Sequence, residues 1–87
     1  MSTLMIPLSR IREFPRSGID NFKVNKFVAM MRNGTKMDPI AVCNDGDKLL
    51  IRSGFHRFCA YEALNLAEIP VVFVPAAIKA NSRSGRP

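Results

Sequence analysis

The stretch that most constrains the fold is an apolar run that stops at a Ser-Gly pair and continues with helical spacing. Residues 48–51 (Lys-Leu-Leu-Ile) favour a β-strand, and Ser53 with Gly54 breaks that pattern. From Phe55 onward the apolar positions no longer alternate, and serine is a residue type that caps helices. The pattern predicts a strand, a tight turn and a helix capped by Ser53.

The first turn of the predicted helix carries the single histidine of the chain, His56, followed by Arg57. Backbone N–H groups at a helix start have no intrahelical partner and the helix dipole is positive there, so an anion is the natural ligand. We expect an anion to bind this turn, with His56 and Arg57 adding donors and charge. The alternatives are a purely structural histidine and an ion pair of Arg57 with Asp38, Asp45 or Glu62.

The rest of the pattern predicts an α+β domain with a small mixed sheet of about four short strands and two main helices. Leu4 to Leu8 indicates a first strand, and Pro7 places it at an edge or at the beginning of the strand. A helical stripe follows at Val24, Phe27, Val28 and Met31. Residues 40–43 and 48–52 form a hairpin through the turn-rich residues 44–47, and residues 69–74 form a last strand.

The charge balance favours polyanionic partners. Thirteen Lys and Arg against seven Asp and Glu give the 87 residues a net charge of +6. We expect residues 1–75 to form one domain and residues 76–87 to be a basic, flexible tail. The tail residues Lys79, Arg83 and Arg86 have no nearby acid, so contact with a nucleic-acid backbone is the functional interpretation; a solvated chain end is the alternative and is preferred.

Several classes of protein are disfavoured. No apolar run approaches the roughly 20 residues that a membrane span requires, and the start is not a signal peptide, so we expect a cytoplasmic protein without a membrane partner. Cys43 and Cys59 are too few for a disulfide framework and lack metal-ligand spacing. Asp45 and Asp47 are turn residues rather than metal ligands, so no metal site held by the protein alone is expected.

In order and spacing, these segments resemble the ParB/sulfiredoxin superfamily, specifically ParB-like N-terminal (ParB-like nuclease) domains. Residues 6–16 match the opening I-P-L-x-x-I-R-x-x-P-R of those domains, and residues 54–60 match their G-x-R/H-R-x-x-A turn and helix. A P-I-x-V strand at residues 39–42 and an I-P-V-x-V strand at residues 69–73 complete the set, with Phe73 in place of the last valine. The resemblance covers residues 4–74.

The resemblance implies that the turn binds phosphate, because the corresponding turn helps to bind the triphosphate of CTP in ParB proteins and ATP in sulfiredoxins. Gly54 would permit close backbone approach, His56 and Arg57 would contact phosphate oxygens, and Arg16 matches an arginine of the first segment. The implied ligand is a nucleoside triphosphate, CTP or ATP, with Mg²⁺. The implied site residues are Ser53, Gly54, Phe55, His56, Arg57 and Arg16.

The departures from the family pattern shape the expected function. Sulfiredoxins place their reactive cysteine immediately before the His-Arg pair, where this chain has Phe55, so reduction of sulfinic acid is disfavoured. We expect a stand-alone ParB-like domain that binds a nucleotide or nucleic-acid phosphate in DNA-associated regulation. The alternatives are a small nucleotide-hydrolysing or DNA-cleaving enzyme, for which no general base is assigned, and a ligand-free module that binds another protein or a second copy. The phenylalanines have the spacing of core residues, which disfavours a base-stacking surface.

Overall fold

The computed structural model describes residues 3–75, and the predicted tail with Lys79, Arg83 and Arg86 lies outside them. This part of the chain contains four strands and two α-helices, with a single 3₁₀ turn at Leu8–Arg10. The elements are β1 (Leu4–Pro7), α1 (Asn21–Arg32), β2 (Ile40–Asp45), β3 (Lys48–Ser53), α2 (Phe55–Ala63) and β4 (Glu68–Phe73). The predicted α+β class is confirmed.

The four strands form one mixed sheet in the order β1-β4-β2-β3. β1 with β4 and β2 with β3 are antiparallel, whereas β2 and β4 are parallel. β1 is an edge strand and Pro7 is its last residue, a position that tolerates the missing N–H. Parallel neighbours need a crossover connection, and β3 followed by α2 supplies it between β2 and β4. The turn from Ser53 to Phe55 therefore lies within this crossover.

α2 is fixed in place by packing on two sides. Phe58 and Tyr61 join the sheet residues in the main core, where five aliphatic side chains are fully buried: Ile40, Val42, Leu49, Ile69 and Val71. Burial of each such side chain contributes about 1.5 to 3 kcal/mol. Cys59 and Ala60 pack against Val24 of α1. The first turn of α2 therefore belongs to a helix that is held in place by the sheet on one side and by α1 on the other.

The N-terminus of α2 differs from the prediction, because Gly54 and not Ser53 is the N-cap residue. Ser53 is the last residue of β3 and pairs with Ala41, so its backbone still follows the strand. Gly54 makes the change of direction with φ +103° and ψ 28°, a left-handed conformation that glycine adopts without the steric penalty of a side chain. No side chain caps this helix, which leaves its first N–H groups without a side-chain acceptor.

Candidate functional site

The guanidinium group of Arg57 lies against the backbone of Gly54. A Cβ atom added at residue 54 would lie 2.9 Å from Arg57 Nη2 and 3.2 Å from Ile40 Cγ1. Arg57 Nη1 donates a hydrogen bond of 2.8 Å to the carbonyl oxygen of Asp38, which fixes the other side of the group. Within residues 3–75 Arg57 forms no salt bridge. Its positive charge is therefore held over the turn without a carboxylate to neutralise it.

The backbone of the same turn offers further donors. Phe58 N–H donates to Gly54 O at 2.9 Å and closes the first turn of α2. The N–H groups of Phe55, His56 and Arg57 precede this bond and lack intrahelical acceptors, as at every helix start. The positive end of the helix dipole adds to the charge of Arg57 at the same place. Of the predicted site residues, Ser53 to Arg57 form this turn, Arg16 contacts Glu62 instead, and binding of a ligand by any of them stays a prediction.

His56 connects the two helices. Its Nε2 atom accepts a hydrogen bond of 3.0 Å from the backbone N–H of Asp20, the N-cap residue of α1. The Asp20 carboxylate in turn accepts from Phe22 N–H at 2.9 Å. Because Nε2 acts as an acceptor, the ring proton of the neutral imidazole is on Nδ1, which leaves one donor for a ligand. Nε2 of His56 thus has a structural role, and within residues 3–75 its Nδ1 has no hydrogen-bond partner, so both a structural histidine and a phosphate contact are compatible with this position.

Arg16 contacts the second turn of α2. Its guanidinium donates two hydrogen bonds to Glu62, at 2.8 and 3.3 Å, and a longer one of 3.6 Å to the sulfur of Cys59. It also lies 4.2 Å from the centroid of the Phe14 ring, within the range of a cation–π contact. The hydrogen bonds to Glu62 raise the pKa of Arg16 further above its ordinary value. A phosphate contact by Arg16 would require release of Glu62.

A cleft of about 430 Å³ adjoins Arg57. Its lining combines apolar side chains with two cations and one acid: Phe27, Met30, Met37, Lys36, Arg57 and Asp38. Ligand sites commonly pair an apolar wall with a few polar groups that fix orientation. Sequence reasoning did not find this cleft, since α1 and the loop before β2 form it only after folding.

A second cleft, about 730 Å³, lies elsewhere, between the loop after β1 and the outer side of α2. All three of its cations have partners: Arg12 pairs with Asp45, Arg16 with Glu62, and Lys48 donates to Ser9 O at 2.9 Å. Its volume exceeds that of the cleft beside Arg57, but carboxylates neutralise two of these three cations, Arg12 and Arg16, whereas Lys48 is bonded to a carbonyl oxygen and keeps its charge. This cleft is therefore a poorer candidate for an anion site than the cleft beside Arg57.

The fold can be compared with solved structures. No protein-family model and no curated protein sequence matches this chain. Sulfiredoxin from Arabidopsis thaliana superposes with a TM-score of 0.76 at 23% identity, and the match covers 97% of this chain and 100% of that one. The chain has the ParB/sulfiredoxin fold.

Two further structures with this fold contain nucleotides. A C-terminally truncated chromosome-partitioning protein ParB from Caulobacter crescentus, complexed with CTP-γ-S, matches with a TM-score of 0.70 at 15% identity. A free serine kinase in complex with ADP matches with a TM-score of 0.72 at 19% identity. The matches cover 97% and 85% of this chain but only 55% and 31% of those proteins. At such identities the similarity establishes the fold alone.

The residue before His56, where the sequence comparison with sulfiredoxins led us to look for a cysteine, is Phe55. Its ring packs edge-on against Phe14 with centroids 5.1 Å apart. The cysteine nearest in sequence, Cys59, is buried against α1. Burial raises the pKa of Cys59 more strongly than the positive charge of Arg16 lowers it. Cys59 is therefore held as a neutral thiol, which is the less nucleophilic form.

Two features of residues 3–75 bear on metals and membranes. Neither helix in this part of the chain has the length and apolarity that a membrane span needs. In the same residues no three His, Cys, Asp or Glu side chains lie close enough to hold a metal ion. A metal brought in by a phosphate ligand would be held differently, since Mg²⁺ commonly binds through one or two carboxylates together with phosphates and water.

Proposed function

We propose that this domain is a binding module for the phosphate groups of a nucleotide, held at residues 53–57 with the base in the cleft beside Arg57. The observation that carries the proposal is the position of Arg57, which is held against Gly54 without a carboxylate partner in residues 3–75. An ionised phosphate is the ligand that such a cation and the adjoining backbone N–H groups bind best.

Each part of the site has a distinct role in this proposal. Gly54 lets the backbone approach the phosphate, and the N–H groups of the first turn of α2 donate to its oxygens. Arg57 supplies charge, and His56 supplies the Nδ1 proton. Phe27, Met30 and Met37 provide an apolar wall for the base. Nucleotide complexes of a ParB protein and of the free serine kinase, which share the fold, support the proposal.

Asp38 is the carboxylate that would hold a Mg²⁺ ion beside the phosphates, since it lines the same cleft as Arg57. The ion would neutralise phosphate charge when a triphosphate is bound. A single carboxylate is compatible with Mg²⁺ that is bound mainly by its nucleotide.

The test is titration calorimetry of the full chain with CTP and with ATP, each with Mg²⁺. Arg57→Ala should weaken binding about 10- to 100-fold, because a hydrogen bond to a charged group contributes about 1.5 to 3 kcal/mol. Arg57→Lys should recover part of the loss, since lysine keeps the charge but not the planar fork. Arg10→Ala removes an exposed cation outside the site and serves as the matched control.

Circular dichroism establishes whether each variant is folded. A folded Arg57→Ala variant that binds CTP and ATP as tightly as the wild type would contradict the proposal. So would a wild-type chain that binds neither nucleotide at millimolar concentration.

A further inference from the structure

The side chain of Phe22 stands out on the surface because 75% of it is exposed, more than any other large hydrophobic side chain in residues 3–75. Four of the other phenylalanines, Phe14, Phe27, Phe55 and Phe73, are partly buried against the two cores, and Phe58 is buried. Phe22 lies outside the apolar stripe that packs α1 against α2. The packing of residues 3–75 does not account for an aromatic ring at this position.

The surroundings of Phe22 on α1 are basic, and the acid beside it is Asp20, whose carboxylate caps the helix by accepting from Phe22 N–H. α1 carries three cations, Lys23, Lys26 and Arg32, and no Asp or Glu. All three are exposed, and within residues 3–75 none of them forms a salt bridge. Lys26 is four residues after Phe22, which places both side chains on the same face of the helix. An exposed aromatic ring flanked by unneutralised cations is complementary to a nucleic-acid strand with unstacked bases.

This surface is continuous with the proposed phosphate site. Lys23, Phe27 and Met30 follow the spacing i, i+4, i+7 and share one row of α1, and Phe27 and Met30 line the cleft beside Arg57. At the N-terminal end of α1, two hydrogen bonds link Phe22 to the same site. Phe22 N–H donates to the Asp20 carboxylate, and Asp20 N–H donates to His56 Nε2. Phe22 and Met30 are about 12 Å apart along the helix axis, given a rise of about 1.5 Å per residue.

We propose that the ligand is a single-stranded nucleic acid, with one base stacked on Phe22 and its backbone crossing Lys23 and Lys26 toward the turn at Gly54–Arg57. The proposal rests on the proposed phosphate site and specifies its ligand class. A single strand is favoured over a duplex because stacking on Phe22 needs a base that is free of its neighbours. It is favoured over a free mononucleotide because the ring and the two lysines extend beyond the cleft.

The test is fluorescence anisotropy of the full chain with a labelled ten-nucleotide dT strand, with rU of equal length, and with a duplex. Phe22→Ala should weaken binding of a single strand about 5- to 100-fold, because stacking of one base contributes about 1 to 3 kcal/mol. Phe22→Trp should retain binding, whereas Phe22→Leu, which is apolar but not aromatic, should not. Tight binding of dT or of rU supports the proposal and identifies which sugar is preferred.

Salt titration distinguishes direct phosphate contacts of Lys23 and Lys26 from a general effect of net charge on binding. Lys23→Gln and Lys26→Gln should each reduce the slope of log K against log salt by about 0.7 for a single strand. Arg10→Gln removes the same charge elsewhere on the surface and should change the slope less. Met5→Ala is the matched control for Phe22→Ala, since Met5 is also exposed, at 57%, but lies on β1.

Three results would overturn the proposal. The first is Phe22→Ala binding dT and rU as tightly as the wild type. The second is an equal loss for single strand and duplex. The third is wild-type self-association, measured by light scattering, that disappears in Phe22→Ala, because the ring would then bind a second copy. Titration with CTP keeps the two proposals separate: CTP binding that depends on Arg57 and not on Phe22 retains the phosphate site even if the strand proposal fails.

Discussion

Arg57 and Gly54 are in direct contact, and the contact depends on glycine having no side chain. A Cβ atom at residue 54 would meet Arg57 Nη2 at 2.9 Å, closer than atoms normally approach, and Ile40 Cγ1 at 3.2 Å. The backbone of Gly54 is also left-handed, with φ +103°. The same residue thus joins β3 to α2 and leaves room for the guanidinium over the turn.

Gly54→Ala should destabilise the domain by about 1 to 3 kcal/mol, because the close approach to Ile40 Cγ1 is added to a left-handed strain of about 1 to 2 kcal/mol, whereas the flexible end of Arg57 can move aside. It should also weaken CTP binding, since Arg57 must move away from the carbonyl oxygen of Asp38. Urea unfolding and calorimetry measure the two effects. Gly46→Ala is the control, because Gly46 has φ +66° with nothing within 4 Å of an added Cβ; equal losses in the two variants would show that the Arg57 contact is unimportant.

The bond from Asp20 N–H to His56 Nε2 predicts different behaviour for two substitutions. His56→Ala should reduce the free energy of unfolding by about 0.5 to 1.5 kcal/mol, because it removes the acceptor of this N–H. His56→Gln places an amide oxygen near the position of Nε2 and should lose less. Hydrogen exchange of the Asp20 amide checks the cause directly: it should speed up in His56→Ala and stay slow in His56→Gln. Unchanged protection in both variants would show that the bond does not form in solution.

Stability should decrease at alkaline pH. Burial raises the pKa of both Cys59 and Tyr61, and the charges of Arg16 and Arg57 oppose this only partly. As pH rises above about 8.5, the thiol ionises more readily in the unfolded chain than in the fold. The stability from this group is therefore full below that pH and is lost as pH rises toward the folded pKa, by at most about 1.4 kcal/mol per pH unit for each group.

The measurement is urea unfolding of the wild type and of Cys59→Ala with Tyr61→Phe, at pH 7.5 and pH 10. The substitutions alter packing at both pH values, so the relevant quantity is the change in unfolding free energy between them. The wild type should lose more stability than the double variant over this interval. An equal loss would assign the alkaline effect to other groups.

Several features followed from short stretches of sequence. The change from alternating to helical spacing after Gly54 placed α2 correctly, and the turn-rich residues 44–47 placed the hairpin of β2 and β3. The exposure of Phe22 also had a sequence signal, since Phe22 falls outside the stripe of Val24, Phe27, Val28 and Met31. The core spacing of the phenylalanines as a set does not extend to Phe22. The prediction that Ser53 caps α2 was wrong, because β3 continues through Ser53.

The pairing of charges was decided by the tertiary structure. Asp38, Asp45 and Glu62 were equally acceptable partners for Arg57 in the sequence. In the fold, Asp45 pairs with Arg12 and Glu62 with Arg16, whereas Asp38 offers Arg57 its backbone carbonyl oxygen. These partners are 19 to 46 residues apart along the chain. Only the packing of α2 against the sheet and α1 brings them together.

The sequence by itself therefore determined that a strand gives way to a helix near Gly54 and which residues occupy the turn, because those depend on side-chain spacing and backbone preference over a few neighbouring residues. The tertiary structure decided the parallel pairing of β2 with β4, the cleft beside Arg57 and the absence of a salt bridge to Arg57 within residues 3–75. Those features depend on distances between segments remote in sequence, which are fixed only when the apolar surfaces of the sheet and the helices are buried together.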